Sequence, residues 1–342
     1  MEIPKPKSYI TTSVLILFTY VLAAQSIKGV VLDFKTNEPI ETASVYFDNT
    51  TIGTTTNANG EFEIELRAGI TSSLIISYLG YEKMILESYE SSKFYKVLLT
   101  EATNVLDEVV ISYDDGMSRK QKLKHFRREF LGFSKHSKSC KILNEDDIIL
   151  KYDKERMRLT ASAIAPLKVK NNSLQYIIYF DIIDFVIQFG YELVTNNKHS
   201  VKIVAYTGTT FYESIEDIDR KTVQRRNEVF KGSILHFMRA LSKKRLEEEG
   251  FDIYRKQLRV EPYDYFNVKA LDKQEGYVSV KLLKKVDILY NKKYRSVIQS
   301  NVDKFIINPY GSHSPLTKVL FGGVMGNQRV GDLLPIDYEL SE

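Results

Sequence analysis

Asn57-Ala58-Asn59-Gly60-Glu61-Phe62-Glu63-Ile64-Glu65-Leu66 holds a turn and a strand in ten residues. Phe62, Ile64 and Leu66 alternate with three glutamates, the period-two pattern of a strand with one buried face. Asn57-Ala58-Asn59-Gly60 ahead of it is a tight turn, since Asn and Gly take positive φ at low cost. Alternation resumes at Ala43, Val45 and Phe47, with Ser44 and Tyr46 on the opposite face. Leu74-Ile75-Ile76 and Lys96-Val97-Leu98-Leu99 are apolar runs of strand length, and Thr36-Asn37-Glu38-Pro39 is another turn. Short strands at this spacing predict an antiparallel β-sandwich over residues 27–100.

The same stretch carries four ordered motifs. They are Ile27-Lys28-Gly29-Val30-Val31-Leu32-Asp33, Glu38-Pro39-Ile40-Glu41-Thr42-Ala43-Ser44-Val45, Thr56-Asn57-Ala58-Asn59-Gly60-Glu61-Phe62 and Ser77-Tyr78-Leu79-Gly80-Tyr81-Glu82. In this order they resemble the carboxypeptidase-regulatory-like domain, a transthyretin-like β-sandwich of bacterial envelope proteins. Asn57 stands where that family often has Asp. The resemblance implies an accessory module rather than a peptidase. A zinc peptidase needs a His-x-x-Glu pair and a second His, leaving one metal position open for water. None of His125, His136, His199, His236 and His313 has Glu three residues on, so no metal site is expected.

The chain has 342 residues, enough for about two domains, and its 43% hydrophobic content suffices for real cores. Twenty-two Tyr and 18 Phe without Trp suit a β-rich protein. A net charge of +4 is too mild to imply nucleic acid. Lys5 and Lys7 precede an apolar run from Ile10 to Ala24, with Ala23, Ala24 and Ser26 at its close. This is the three-part form of a signal peptide over residues 1–26, with cleavage open among those three positions. The other reading, an uncleaved anchor, meets a run short of the roughly 20 residues of a bilayer span. Export to the periplasm or outer membrane follows as the expectation.

Cys140 is the single cysteine, so no intramolecular disulfide forms. A buried thiol is expected there. The alternative, a nucleophile served by His136 four residues upstream, lacks an evident third group. Residues 101–117 read as a linker around Leu106-Asp107-Glu108-Val109-Val110-Ile111. A similar run follows this sandwich in SusC-type outer-membrane importers, but the remaining chain is too short for their barrel.

Residues 118–342 predict a larger α+β domain on an antiparallel sheet. Ser118 and Gln121 form a capping box for a helix to Leu131, with Leu123, Phe126 and Phe130 on its apolar face and Gly132 as its stop. Arg119 to Lys141 holds nine Lys or Arg against one Glu, a solvated face or a peripheral contact with anionic lipid. Strand-like runs follow at 158–162, 174–180, 201–206 and 211–212, punctuated by Asn171-Asn172, Asn196-Asn197 and Gly208. After Gly250 they resume at 251–254, 277–283, 286–290 and 304–307.

Between these runs, Ile234, Phe237, Met238 and Leu241 mark a buried helix face. Ser233 is its N-cap, Gly232 breaks the helix before it near Phe230, and Gly250 ends it. Arg225, Arg226, His236 and Arg239 could ring an anion at that N-terminus beside Ser233, or pair with carboxylates across a domain joint. This patch and Gly331-Asp332-Leu333-Leu334-Pro335-Ile336-Asp337-Tyr338 resemble an uncharacterised C-terminal domain found behind the sandwich. There is no Gly-x-x-x-x-Gly-Lys and no Gly-x-Ser-x-Gly. The expected function is a non-enzymatic envelope binding or accessory module without cofactor, whose partner is a protein, lipid or glycan. The alternative is an envelope hydrolase or small-anion binder using the arginine–histidine patch.

Overall fold

The computed structural model describes residues 25–102, 115–192, 197–215, 217–272 and 274–341. Residues 1–24 of the expected leader and the Leu106–Ile111 run lie outside them. Three hydrophobic cores organise the chain, one in the stretch 27–100 and two after residue 116.

The first core is a two-layer sandwich of β1 (Gln25–Asp33), β2 (Ser44–Phe47), β3 (Gly53–Thr55), β4 (Glu61–Leu66), β5 (Leu74–Ser77), β6 (Met84–Leu86) and β7 (Phe94–Leu99). One sheet has the order β4-β1-β7 and the other β3-β2-β5-β6. Phe62 and Ile64 of β4 face inward with Ile27, Val31, Val45 and Leu74, as the alternation requires. Asn57 Oδ1 accepts the Asn59 and Glu61 N–H groups and holds the turn before β4. The expected sandwich was antiparallel throughout, and one pair departs: β7 runs parallel to β1. A parallel neighbour needs a crossover, and here the chain reaches β7 only after passing through the opposite sheet.

The second core joins one helix to a six-stranded sheet. The helix is α1 (Arg119–Leu131), with Ser118 as N-cap, the capping box formed with Gln121, and Gly132 as C-cap. The strands are β8 (Cys140–Ile142), β9 (Ile148–Asp153), β10 (Arg158–Ala163), β11 (Leu167–Asn171), β12 (Tyr176–Glu192) and β13 (Asn197–Ser214). Their order is β8-β11-β12-β10-β9, with β13 on the other edge of β12. Phe126 and Phe130 of α1 pack on Phe180, Phe185 and Tyr206 of the β12–β13 ribbon. The separate short strands expected over 174–212 are therefore one long hairpin, of 17 and 18 residues. Gly208 is not a turn but lies within β13, opposite Ile182 at a register shift. A Cβ there would meet the Asp181 carbonyl oxygen at 2.4 Å, so only glycine fits this bulge.

Two helices lead to the third core: α2 (Arg220–Phe230) and α3 (Ile234–Ser242). Gly232 turns the corner between them at φ 79°. The strands are β14 (Phe251–Arg255), β15 (Leu258–Val260), β16 (Phe266–Ala270), β17 (Val278–Leu282), β18 (Val286–Tyr290), β19 (Tyr294–Ser300), β20 (Phe305–Ile307), β21 (His313–Ser314) and β22 (Val319–Gly322). A single turn, α4 (Gly323–Gly326), follows. The sheets are β15-β14-β18-β19-β22 and β16-β17-β20-β21, both antiparallel. Phe237, Met238 and Leu241 of α3 enter this core, as their spacing requires.

α3 ends at Ser242, one residue before its C-cap Lys243, and not at Gly250. Leu246 is fully buried in the same core. It follows Leu241 by five residues, which on a continuing helix would turn it well away from the buried face. The chain instead unwinds through Lys244 at φ 55°, and the Arg245 N–H returns to the Ala240 carbonyl.

The sandwich is docked on the second core through the tip of the β2–β3 hairpin. Asn49 N–H donates to the Thr210 carbonyl at 2.7 Å, and Tyr212 N–H to the Thr50 carbonyl at 3.0 Å. Tyr46, expected to face outward, is only 7% exposed because Phe211 and Thr209 of β13 cover it. The C-terminal segment closes the joint: Ile336 N–H donates to the Asn49 carbonyl, and the Asp337 carboxylate accepts from Thr51.

Candidate functional site

α2 has a sparse apolar face, and Thr222, Arg226 and Phe230 are its buried residues, one turn apart. Asp219 caps it by accepting the Thr222 N–H at 2.7 Å. The Arg226 guanidinium lies 3.7 Å from the centre of the Tyr176 ring and donates to the Leu174 and Gln175 carbonyls and to Ser214 Oγ. Arg225 donates to the Ser173 carbonyl and to Thr222 Oγ1. Both arginines thus clamp the turn between β11 and β12, where the Gln175 carbonyl also accepts the Ile215 N–H at 3.1 Å. The fixed fork of a guanidinium suits several such acceptors at once.

At the corner, Ser233 Oγ accepts the His236 N–H and caps α3. The Gly232 N–H donates to His236 Nδ1 at 3.0 Å, which leaves the ring proton on Nε2, 3.2 Å from Glu249 Oε2. Burial holds the His236 pKa below the usual imidazole value against the opposing pull of Glu249. Both ring nitrogens are therefore committed, and neither is poised as a base.

Arg239 donates to three carbonyls, those of Tyr310 at 2.8 Å, Tyr338 at 2.8 Å and Ile336 at 2.6 Å. It ties the C-terminal segment to α3 and the β20–β21 turn. The three arginines and His236 serve separate anchor points and do not ring one anion. His236 and Arg239 do share a cleft of about 440 Å3, walled also by Lys243, Arg245, Glu249 and Glu339. Arg225, Arg226 and Ser233 are not among its walls. Arg245 is paired there with Glu248 and Glu249.

A second cluster joins residues far apart in sequence. The Asp332 carboxylate accepts from Ser134 Oγ and Ser137 Oγ. His136 Nδ1 pairs with Ser173 Oγ at 2.7 Å. These are the residue types of a hydrolytic triad, but the acid orients two serines and not the histidine, so the relay from acid to base to nucleophile is broken. Burial lowers the His136 pKa and raises that of Asp332. Nothing in the sequence could foretell this cluster, because about 195 residues separate its members. Burial also pushes the pKa of the half-buried Cys140 thiol up to about 12, which disfavours the thiolate. Among the described residues no group of three His, Cys, Asp or Glu side chains is placed to hold a metal ion.

The basic run from Arg119 to Lys141 is divided by the sheet. Arg119 donates to the Ile148 and Glu145 carbonyls. Lys122 pairs with Asp115, Arg127 with Glu145, and Lys135 with Glu228. Much of the run is thus bound within the protein, and it does not form one continuous basic surface.

Residues 27–111 match the family model of the CarboxypepD_reg-like domain. The match passes the expected end of the sandwich at Thr100 and takes in the Leu106–Ile111 run. A stretch of 86 residues is 34% identical to the TonB-dependent receptor SusC of Bacteroides thetaiotaomicron. That stretch is 25% of this chain and 8% of the receptor, so the chain spans under a tenth of this relative.

Proposed function

We propose that the protein is a non-enzymatic exported protein of the cell envelope, a binding or accessory module built around the CarboxypepD_reg-like domain formed by residues 27–111. The observations that carry this reading are the family match over residues 27–111 and the 86-residue stretch 34% identical to a TonB-dependent receptor. Similarity to such a receptor is compatible with an envelope location. The fold adds a mechanical argument. The arginine–histidine patch spends its donors on backbone carbonyls, on the Thr222 and Ser214 hydroxyls and on Glu249, which ties α2 to the α1 sheet and α3 to the C-terminal segment that closes the joint with the sandwich. A rigid three-part body suits display of a binding surface. The rival reading, an anion binder or hydrolase, is left with the cleft around His236 and Arg239, where committed imidazole nitrogens and mixed charges weigh against it.

Cell fractionation with sequencing of the mature N-terminus tests the proposal. β1 begins at Gln25, and Ser26 Oγ donates to Glu63 at 2.6 Å. Cleavage after Ala23 or Ala24 leaves this strand whole, whereas cleavage after Ser26 would remove its first two residues. The expected result is an envelope-fraction protein starting at Ala24 or Gln25. An intact chain in the cytosol overturns the proposal.

A further inference from the structure

The outer face of the α1 sheet carries an unbalanced charge. Leu167 and Val169 of β11 are fully buried against α1, so Lys168 and Lys170 point to the opposite face. Ile142 of β8 is buried and Lys141 is exposed, and Lys141 stands directly across from Lys170 in the ladder. Like charges in directly opposed positions destabilise a sheet. None of the three lysines forms an ion pair among the described residues; Lys168 lies 5.3 Å from the centre of the Tyr179 ring. Leu143, on the same side as Lys141, is 46% exposed. Glu213, beyond Ile177 in the next strands, accepts the Tyr179 hydroxyl at 2.8 Å.

The sandwich covers part of this face. Phe211 of β13 packs on Tyr46, and Lys83 pairs with Asp181 of β12 at 2.6 Å. The β8–β11 half is left bare. We infer that this bare half, with Lys141, Lys168, Lys170 and Leu143, is a docking surface for a phosphate-bearing lipid bilayer. Three ammonium groups on one face of two paired strands match spread negative charge, and an aliphatic side chain among lysine stems suits the boundary between headgroup and acyl chain. The lysines on the α1 side of the run take no part, because the sheet lies between them and this face. The inference deepens the envelope reading by naming a partner, but it is measured on purified protein and fails or holds independently of where the protein resides in cells.

The test is flotation of the full chain with phosphatidylglycerol-containing vesicles and with phosphatidylcholine vesicles. The parent is expected to float with the anionic vesicles alone and to be released by salt. K141E/K170E should weaken binding by at least about tenfold, and L143S by a smaller factor. K120E/K124E, at exposed positions on α1, should bind like the parent. No binding by the parent, or equal loss in the α1 variant, overturns the inference. Inorganic phosphate and chloride at equal ionic strength should release the protein equally. Selective release by phosphate would mark a discrete phosphate pocket and overturn the bilayer assignment.

Discussion

The Asp48 carboxylate accepts the Thr210 N–H at 2.6 Å and fastens the β2–β3 hairpin tip to β13. The joint buries this acid, and loss of hydration raises its pKa to about 6 against the opposing Thr210 and Asn49 N–H donors and Lys83. The ordinary value is 3.8. Between these values the folded protein holds a proton that the unfolded chain has lost. Stability from this group therefore falls as pH rises from about 4 to about 6 and stays lower above. D48N keeps an acceptor for Thr210 without the charge. It should be more stable than the parent by roughly 1–3 kcal/mol at neutral pH and close to the parent near pH 4. Thermal unfolding across that range reads the difference; a variant less stable at neutral pH would mean the charge strengthens the joint.

How much of this was legible beforehand varies with the distance over which the deciding contact acts. The bounds of β4 and β18 and the capping box of α1 are set by neighbours within a few residues, and the sequence displays them. The corner at Gly232 and Ser233 is local too. The β12–β13 hairpin is not, because register shifts at Ile182/Asp184, Gln188/Phe189 and Gly190/Glu192 interrupt the alternation that would reveal one long ribbon. Tyr46 was read as outward because its own strand makes it so, and the covering residues come from 163 positions away. The sequence offers the arginines as anion ligands or as partners of carboxylates, because side chains are visible in a sequence and turn carbonyls are not. Their acceptors are backbone groups exposed only by turns that tertiary folding brings near.

Arg239 gives the sharpest test of that carbonyl-clamp role. Its three acceptors belong to Tyr310, Ile336 and Tyr338. R239A leaves them without a charged donor in a partly buried joint, and a loss of roughly 2–4 kcal/mol is expected in denaturant unfolding. R239K should recover only part of this, because an ammonium cannot match a planar fork. The C-terminal segment 333–341 should become the first site of proteolysis in R239A. Unchanged stability and protection would show that the segment is held by its other contacts, Ile336 with Asn49, Asp337 with Thr51 and Tyr338 with Asn227.

Two glycines beside Tyr290 separate backbone strain from steric clash. Gly232 and Gly250 have nearly equal φ, 79° and 82°. A Cβ on Gly232 would meet Tyr290 Cδ1 at 2.5 Å, whereas one on Gly250 meets the same ring at 3.6 Å. G250A should therefore cost about 1 kcal/mol, the left-handed penalty alone. G232A adds the displaced ring, for a total of roughly 3 kcal/mol or more. Equal losses in equilibrium unfolding would show that the ring moves aside freely.

His313 sets the acid limit of the last core. It lies on β21 against the Phe305 and Phe321 rings, 9% exposed. Burial alone holds its pKa down to about 4, from 6.5. The unfolded chain takes up this proton first as pH falls, so the contribution to stability is complete above 6.5 and is lost progressively down to about 4. The loss amounts to roughly 3 kcal/mol, opposite in sign to the Asp48 effect over the same range. H313L, apolar and near in volume, should remove most of the acid sensitivity while leaving neutral stability within about 1.5 kcal/mol of the parent. Measuring unfolding of the parent, H313L and D48N at pH 4, 5, 6 and 7 separates the two groups. Acid sensitivity retained in full by H313L would place its origin elsewhere, with His236 and its Glu249 partner next in line.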